Sequence, residues 1–109
     1  GGPLLHQQQQ RHSRVCLQEL RLNDAALQDS GAALLGEALW RLRAARWDGC
    51  DVKVLELAGD HLSVEAVNSL GPMLVQNDRL ERLVLSRNRL RQSGGERLVD
   101  WLVRRGSSP

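Results

Sequence analysis

The chain has no phenylalanine and no tyrosine, one methionine, and aromatics only at three tryptophans. A core built from it must therefore be aliphatic. No apolar run approaches the roughly 18 residues that a membrane-spanning helix needs. There are two cysteines, Cys16 and Cys50, too few for a disulfide framework. We expect both to be free and reduced, which favours an intracellular setting, cytoplasmic or nuclear. The N-terminal Gly1-Gly2-Pro3-Leu4-Leu5-His6 is not read as a secretory signal. Lysine occurs once, at Lys53, so nearly every cation is an arginine.

What the chain does have is leucine, and a spelling that repeats. Leu17-Gln-Glu-Leu20-Arg-Leu22, Val52-Lys-Val-Leu55-Glu-Leu57 and Leu80-Glu-Arg-Leu83-Val-Leu85 share apolar residues at positions 1, 4 and 6. Each continues to a leucine at position 11: Leu27, Leu62 and Leu90. Position 9 holds Ala25, Asp60 and Asn88. Further leucines fall four apart: Leu35 and Leu39, Leu70 and Leu74, Leu98 and Leu102. The Leu-x-Leu step has period two, so both side chains point to one side of a strand. Leucines four apart share one face of a helix. Each unit is thus a short strand, a turn and a returning helix. None can bury its apolar side alone, so stacking must complete the core.

The spelling resembles the leucine-rich repeat family, in the ribonuclease-inhibitor subtype shared with NOD-like receptors and Ran GTPase-activating proteins. The resemblance covers residues 17 to about 105. It implies an α/β solenoid segment of three strand–helix repeats, with a short parallel sheet on the concave face and helices on the convex face. It also implies that Asn88 uses its side-chain amide to satisfy turn backbone groups. Asp60 can do part of that job and Ala25 cannot, so the first turn must be held differently.

Residues 1–14, with Gln7 to Gln10, read as a flexible lead or the end of a preceding helix. Residues 15–106 form the repeat domain and residues 107–109 a tail. Repeats start at Leu17, Val52 and Leu80, spacings of 35 and 28 residues. The longer first repeat carries an insertion near residues 41–51, as extra helical turns or a longer loop. Helices are expected over about Asp29–Ala45, Ser63–Asn77 and Ser93–Arg105. Asp29 or Ser30, Ser63 and Ser93 are the N-caps, and Glu96 completes a capping box. Pro72 predicts a kink or a later start for the second helix. A three-repeat stack needs closed flanks. The third helix and Trp101 are expected to close the C-terminal one, with Arg87, Arg89 and Arg91 shielding the edge strand. The chain reads as the last part of a longer protein.

The resemblance places Glu19, Arg21, Asn23, Val54, Glu56, Ala58, Arg82, Val84 and Ser86 on the concave surface, joined by Asp24, Gly59 and Arg87. Two valines amid charges of both signs suit a protein contact with a polar rim. Trp47, in the insertion, is a candidate anchor. The candidate partner-binding set is therefore Arg21, Val54, Glu56, Arg82, Val84, Arg87, Arg89 and Trp47. Residues 79–109 hold eight arginines against Glu81, Glu96 and Asp100, a local charge of +5 that leaves −3 elsewhere. That cluster supports a second reading, phosphate or nucleic-acid binding, although no aromatics interleave for base stacking. A third is a structural cap. Nothing has metal-ligand spacing, Asp60-His61 reads as a surface turn, and neither catalysis nor a cofactor is expected.

Overall fold

The computed structural model describes residues 16–44 and 51–106. The elements in order are β1 (Glu19–Arg21), α1 (Gln28–Ala44), β2 (Val54–Glu56), α2 (Val64–Gln76), β3 (Arg82–Val84) and α3 (Arg91–Gly106). The strands form one parallel sheet in the order β1-β2-β3. Its register pairs Leu20 with Leu55 and Leu55 with Leu83. The α/β alternation read from the leucine spacing is present, with three parallel strands and three helices.

The core lies between the sheet and the helices. Leu55, Leu57, Leu62, Leu70 and Leu74 are fully buried, all from the middle unit. Each such side chain contributes about 1.5–3 kcal/mol by leaving water. Leu20, Leu22, Leu83 and Leu85 pack partly buried against them.

The turns join one unit to the next through their position-9 side chains. Asn88 Oδ1 accepts from the N–H groups of Asp60 (2.9 Å) and Leu62 (3.0 Å), and its Nδ2 donates to the Leu57 carbonyl (2.8 Å). Asp60 Oδ1 accepts in the same way from Ala25 (2.7 Å) and Leu27 (3.4 Å). Each side chain therefore serves the turn before its own. This explains how the first turn tolerates Ala25, because its acceptor comes from the second unit. Asp60 has no amide to donate, and its Oδ2 is buried with no hydrogen-bond partner.

Several boundaries differ from those expected. α1 begins at Gln28, and Asp29 turns instead to Ser63, accepting from its N–H (2.8 Å) and hydroxyl (2.6 Å). Ser63 caps α2 as expected, with its Oγ accepting from the Glu65 N–H at 3.3 Å. α3 begins at Arg91, so Ser93 lies inside the helix and the Ser93–Glu96 capping box does not form. Gln92 Nε2 donates to Glu96 Oε1 instead, at 3.0 Å. α2 starts where expected and continues past Pro72 to Gln76. α1 spans 17 residues against 13 for α2, so part of the first unit's extra length is helical.

Three expectations are corrected. Cys16 is not a free thiol but disulfide-bonded; Cys50, the other cysteine of the chain, lies outside the described residues. Trp101 does not seal the C-terminal flank. It lies over Gly71 of α2, where a β-carbon would overlap its ring, and so fills the seam between α2 and α3. The flank itself is not closed by α3, for Leu102 is 40% exposed and Leu83, Leu85 and Leu98 are only half-buried.

Candidate functional site

Alternation along three-residue strands turns Leu20, Leu55 and Leu83 into the core and their neighbours outward. The outward set comprises Glu19 and Arg21 from β1, Val54 and Glu56 from β2, and Arg82 and Val84 from β3. Because the register pairs Arg21 with Glu56 and Val54 with Arg82, Glu56 has Arg21 directly beside it and Arg82 on the diagonal across β3.

Glu56 is the centre of this surface. Its carboxylate accepts from Asn23 Nδ2 (2.8 Å), Arg21 Nε (3.3 Å) and Arg82 Nε (3.3 Å), and only 13% of its side chain is exposed. The Asn23 amide, followed by Arg82 and Arg21, holds the carboxyl below its ordinary range despite partial desolvation. Asn23 is fixed from its other side, its Oδ1 accepting from the Ala58 N–H at 2.8 Å. Arg21 also pairs with Glu19, and that contact is the main cause of its raised pKa.

At the upper end of the sheet, Arg87 reaches back across the middle unit to Asp24. The pair is bidentate, with Nη1 2.8 Å from Oδ1 and Nη2 3.1 Å from Oδ2. The Arg87 guanidinium holds Asp24 below the usual carboxylate range and is itself raised in return.

The structure thus brings Arg21, Glu56 and Arg82 into one network, with half-buried Val54 and Val84 beside it. Arg87 joins the same surface through Asp24. Arg89 is exposed in the following turn, where its N–H donates to the Leu62 carbonyl at 2.8 Å. Trp47 lies outside the described residues. Sequence reasoning placed Asn23 and Asp24 on this surface but gave them no partners, because the pairings span 33 and 63 residues. Arg105, counted there only as charge, donates to the carbonyls of Asn77 (2.9 Å) and Leu80 (3.0 Å) and ties the end of α3 to the foot of β3.

Asp60 and His61 do not form a dyad. The Asp60 carboxylate is buried beneath the first turn, whereas His61 is exposed with a left-handed backbone (φ 59°). Among the described residues no group of three or more His, Cys, Asp or Glu could hold a metal ion. Nor is any described helix long and apolar enough to cross a membrane.

Comparison with protein-family models, with curated proteins and with solved structures finds no match to this chain.

Proposed function

We propose that the chain is a leucine-rich repeat segment of the ribonuclease-inhibitor type, acting as a non-catalytic protein-binding module within a larger scaffold or regulatory protein. The open face of the sheet is its docking surface. The observation that carries this reading is the Glu56 network. All three strands or their flanking turns contribute to it, and its side chains are held by one another before any partner arrives. Prior fixing of polar groups lowers the ordering cost of association. Val54 and Val84 supply the apolar element within a rim of both charges.

Three strands at ~4.8 Å spacing give a face only ~10 Å across. That is narrower than a standard interface needs. Contacts from the turns, including Arg89, or from adjoining parts of a larger protein complete it in this reading. The arginine cluster supports the phosphate or nucleic-acid alternative less well. Arg82 and Arg87 are paired with Glu56 and Asp24, and Arg105 is committed to backbone carbonyls.

The test is affinity capture with the intact chain beside two variants, Val54→Asp/Val84→Asp and Arg89→Glu/Arg97→Glu, each shown to be folded by circular dichroism. A protein retained by the wild type and by the arginine variant, but lost with the valine variant, is the expected result. Loss confined to the arginine variant, together with nuclease sensitivity, would move the reading to nucleic acid. Equal capture by all three would remove the open face from consideration.

A further inference from the structure

Cys16 is exposed at the foot of β1 and disulfide-bonded, and the chain's other cysteine is Cys50. A bond between the two closes a ring from residue 16 to residue 50 around β1 and α1. The backbones before β1 and β2 meet at this end of the sheet, where the Gln18 carbonyl accepts from the N–H groups of Lys53 (2.7 Å) and Val54 (3.1 Å). Cys16 precedes Gln18 in sequence, and Cys50 precedes Lys53. The turn inside this ring is the least self-sufficient of the three. Ala25 offers no acceptor, so the Ala25 and Leu27 N–H groups depend on Asp60, which lies outside the ring. Asp24, Ala26 and Gln28 are all left-handed, with φ of 56°, 52° and 62°. The second turn has Gly59 and His61 in that conformation, and the third has Arg87 and Arg91. A residue with a β-carbon is strained there. Neither property depends on what flanks the unit.

We propose that a Cys16–Cys50 disulfide is a redox latch on the first unit. Closed, it holds a strained turn that borrows its acceptor; opened by a dithiol, it lets that unit unfold locally while the other two stay folded. A disulfide restricts the unfolded chain only between its two ends, so its loss favours unfolding of the ring itself. The units outside keep their own support. Leu55, Leu57, Leu62, Leu70 and Leu74 are fully buried there, and the Asp60 and Leu62 N–H groups have Asn88. The opening step is thiol–disulfide exchange. A thiolate of the dithiol attacks Cys16, whose exposure admits it, and the Cys50 thiolate leaves and takes up a proton. The second thiol of the reductant then attacks the mixed disulfide, closes its own disulfide and releases the Cys16 thiol. Two electrons and two protons pass from the dithiol to the chain, and a disulfide oxidant reverses the exchange. The latch stands apart from the docking reading, although Arg21 and Asn23 lie inside the ring, so opening it loosens two of the three donors to Glu56.

Hydrogen exchange of the intact chain tests it, after oxidised glutathione, then in dithiothreitol, then after reoxidation. Iodoacetamide should label neither cysteine of the oxidised chain and both after reduction. On reduction the Ala25 and Leu27 amides are expected to exchange faster by on the order of a hundredfold. The Asp60 and Leu62 amides should keep their rates, and reoxidation should restore all four. Cys16→Ser/Cys50→Ser should exchange like the reduced chain, with or without dithiothreitol; the wild-type series decides the matter without it. Two cysteines that remain open to iodoacetamide after oxidised glutathione would overturn the proposal. So would Ala25 and Leu27 rates that ignore reduction. An equal acceleration at Asp60 and Leu62 would overturn it too, because the bond would then be a staple of the whole chain.

Discussion

Asp24 and Arg87 stand 63 residues apart and meet directly over Gly59. All three occupy position 8 of their units, and all three have a left-handed backbone, with φ of 56°, 67° and 56° for Asp24, Gly59 and Arg87. The turn requires this conformation in every unit. Glycine adopts it without strain in the middle unit, where it also leaves the path that the Asp24–Arg87 pair crosses. A β-carbon at Gly59 would overlap Asp24 Oδ1 and lie 2.8 Å from Arg87 Nη1.

Gly59→Ala should therefore cost more than removal of the ion pair. The pair is exposed on both sides, and solvent screening leaves such pairs little net stability. A left-handed alanine adds ~1 kcal/mol or more of backbone strain. Urea denaturation should rank stability as wild type, then Arg87→Ala, then Gly59→Ala. A Gly59→Ala variant as stable as Arg87→Ala would disprove the steric account.

Asp60→Asn should stabilise the chain. The substitution gives the unpartnered Oδ2 position an amide, as Asn88 has, able to donate to a turn carbonyl. An unsatisfied buried polar atom costs about 1–3 kcal/mol. A gain of ~1 kcal/mol would raise the melting temperature by roughly 4–8 °C in a domain of this size. Asn88→Ala should act in the opposite sense, by about 2–3 kcal/mol, because Asp60 N–H, Leu62 N–H and the Leu57 carbonyl all lose their partner. Calorimetry of both variants checks the pair.

Gly71→Val should open the α2–α3 seam. The added side chain would occupy the place of the Trp101 ring, over which the Arg104 guanidinium lies 4.9 Å from the centroid. Overpacking of this sort costs ~1–3 kcal/mol. The expected signature is lower stability with a red-shifted tryptophan emission. Trp40 and Trp47 contribute to the same signal, so the comparison is made in a Trp40→Leu/Trp47→Leu background.

Stability should fall in acid. Glu56 is held low by Asn23, Arg82 and Arg21, and Asp24 by Arg87. Burial pushes Asp29 up, but hydrogen bonds from Ser63 and Ala66 outweigh it. A carboxyl depressed in the folded state binds its proton more readily when unfolded. Its contribution is complete above the ordinary carboxylate value of ~4 and is lost as pH falls through the folded value. The urea midpoint is expected to stay level from neutral pH to about 5 and to decline below about 4. Glu56→Gln should remove part of that decline.

The strand–helix order was legible because period two and period four leave different marks in the leucines. Leu55 and Leu57 could be assigned to the core from spacing alone. The ends of α1 and α3 were not legible. Asp29 and Ser93 look like local caps, but Asp29 is bound to Ser63, 34 residues away, and Ser93 lies within a helix that starts earlier. The open-face residues could be named from alternation, yet their pairing could not. Arg87 and Arg89 read alike as cations, and only the turn geometry sends Arg87 to Asp24. Trp101 could likewise be assigned to an apolar contact, but nothing in its neighbours reveals that Gly71 provides the space.

The acceptors at position 9 serve in one direction. Ala25 and Leu27 wait on Asp60, and Asp60 and Leu62 wait on Asn88. During synthesis the first turn therefore cannot close until a residue 35 positions later has emerged, nor the second until 28 more have followed. Each of the first two units is completed only after the next has been made. Loss of the last unit takes Asn88 from the turn before it, whereas loss of the first takes Asn23 and Asp29, the acceptors of the Ala58 and Ser63 N–H groups, from the second.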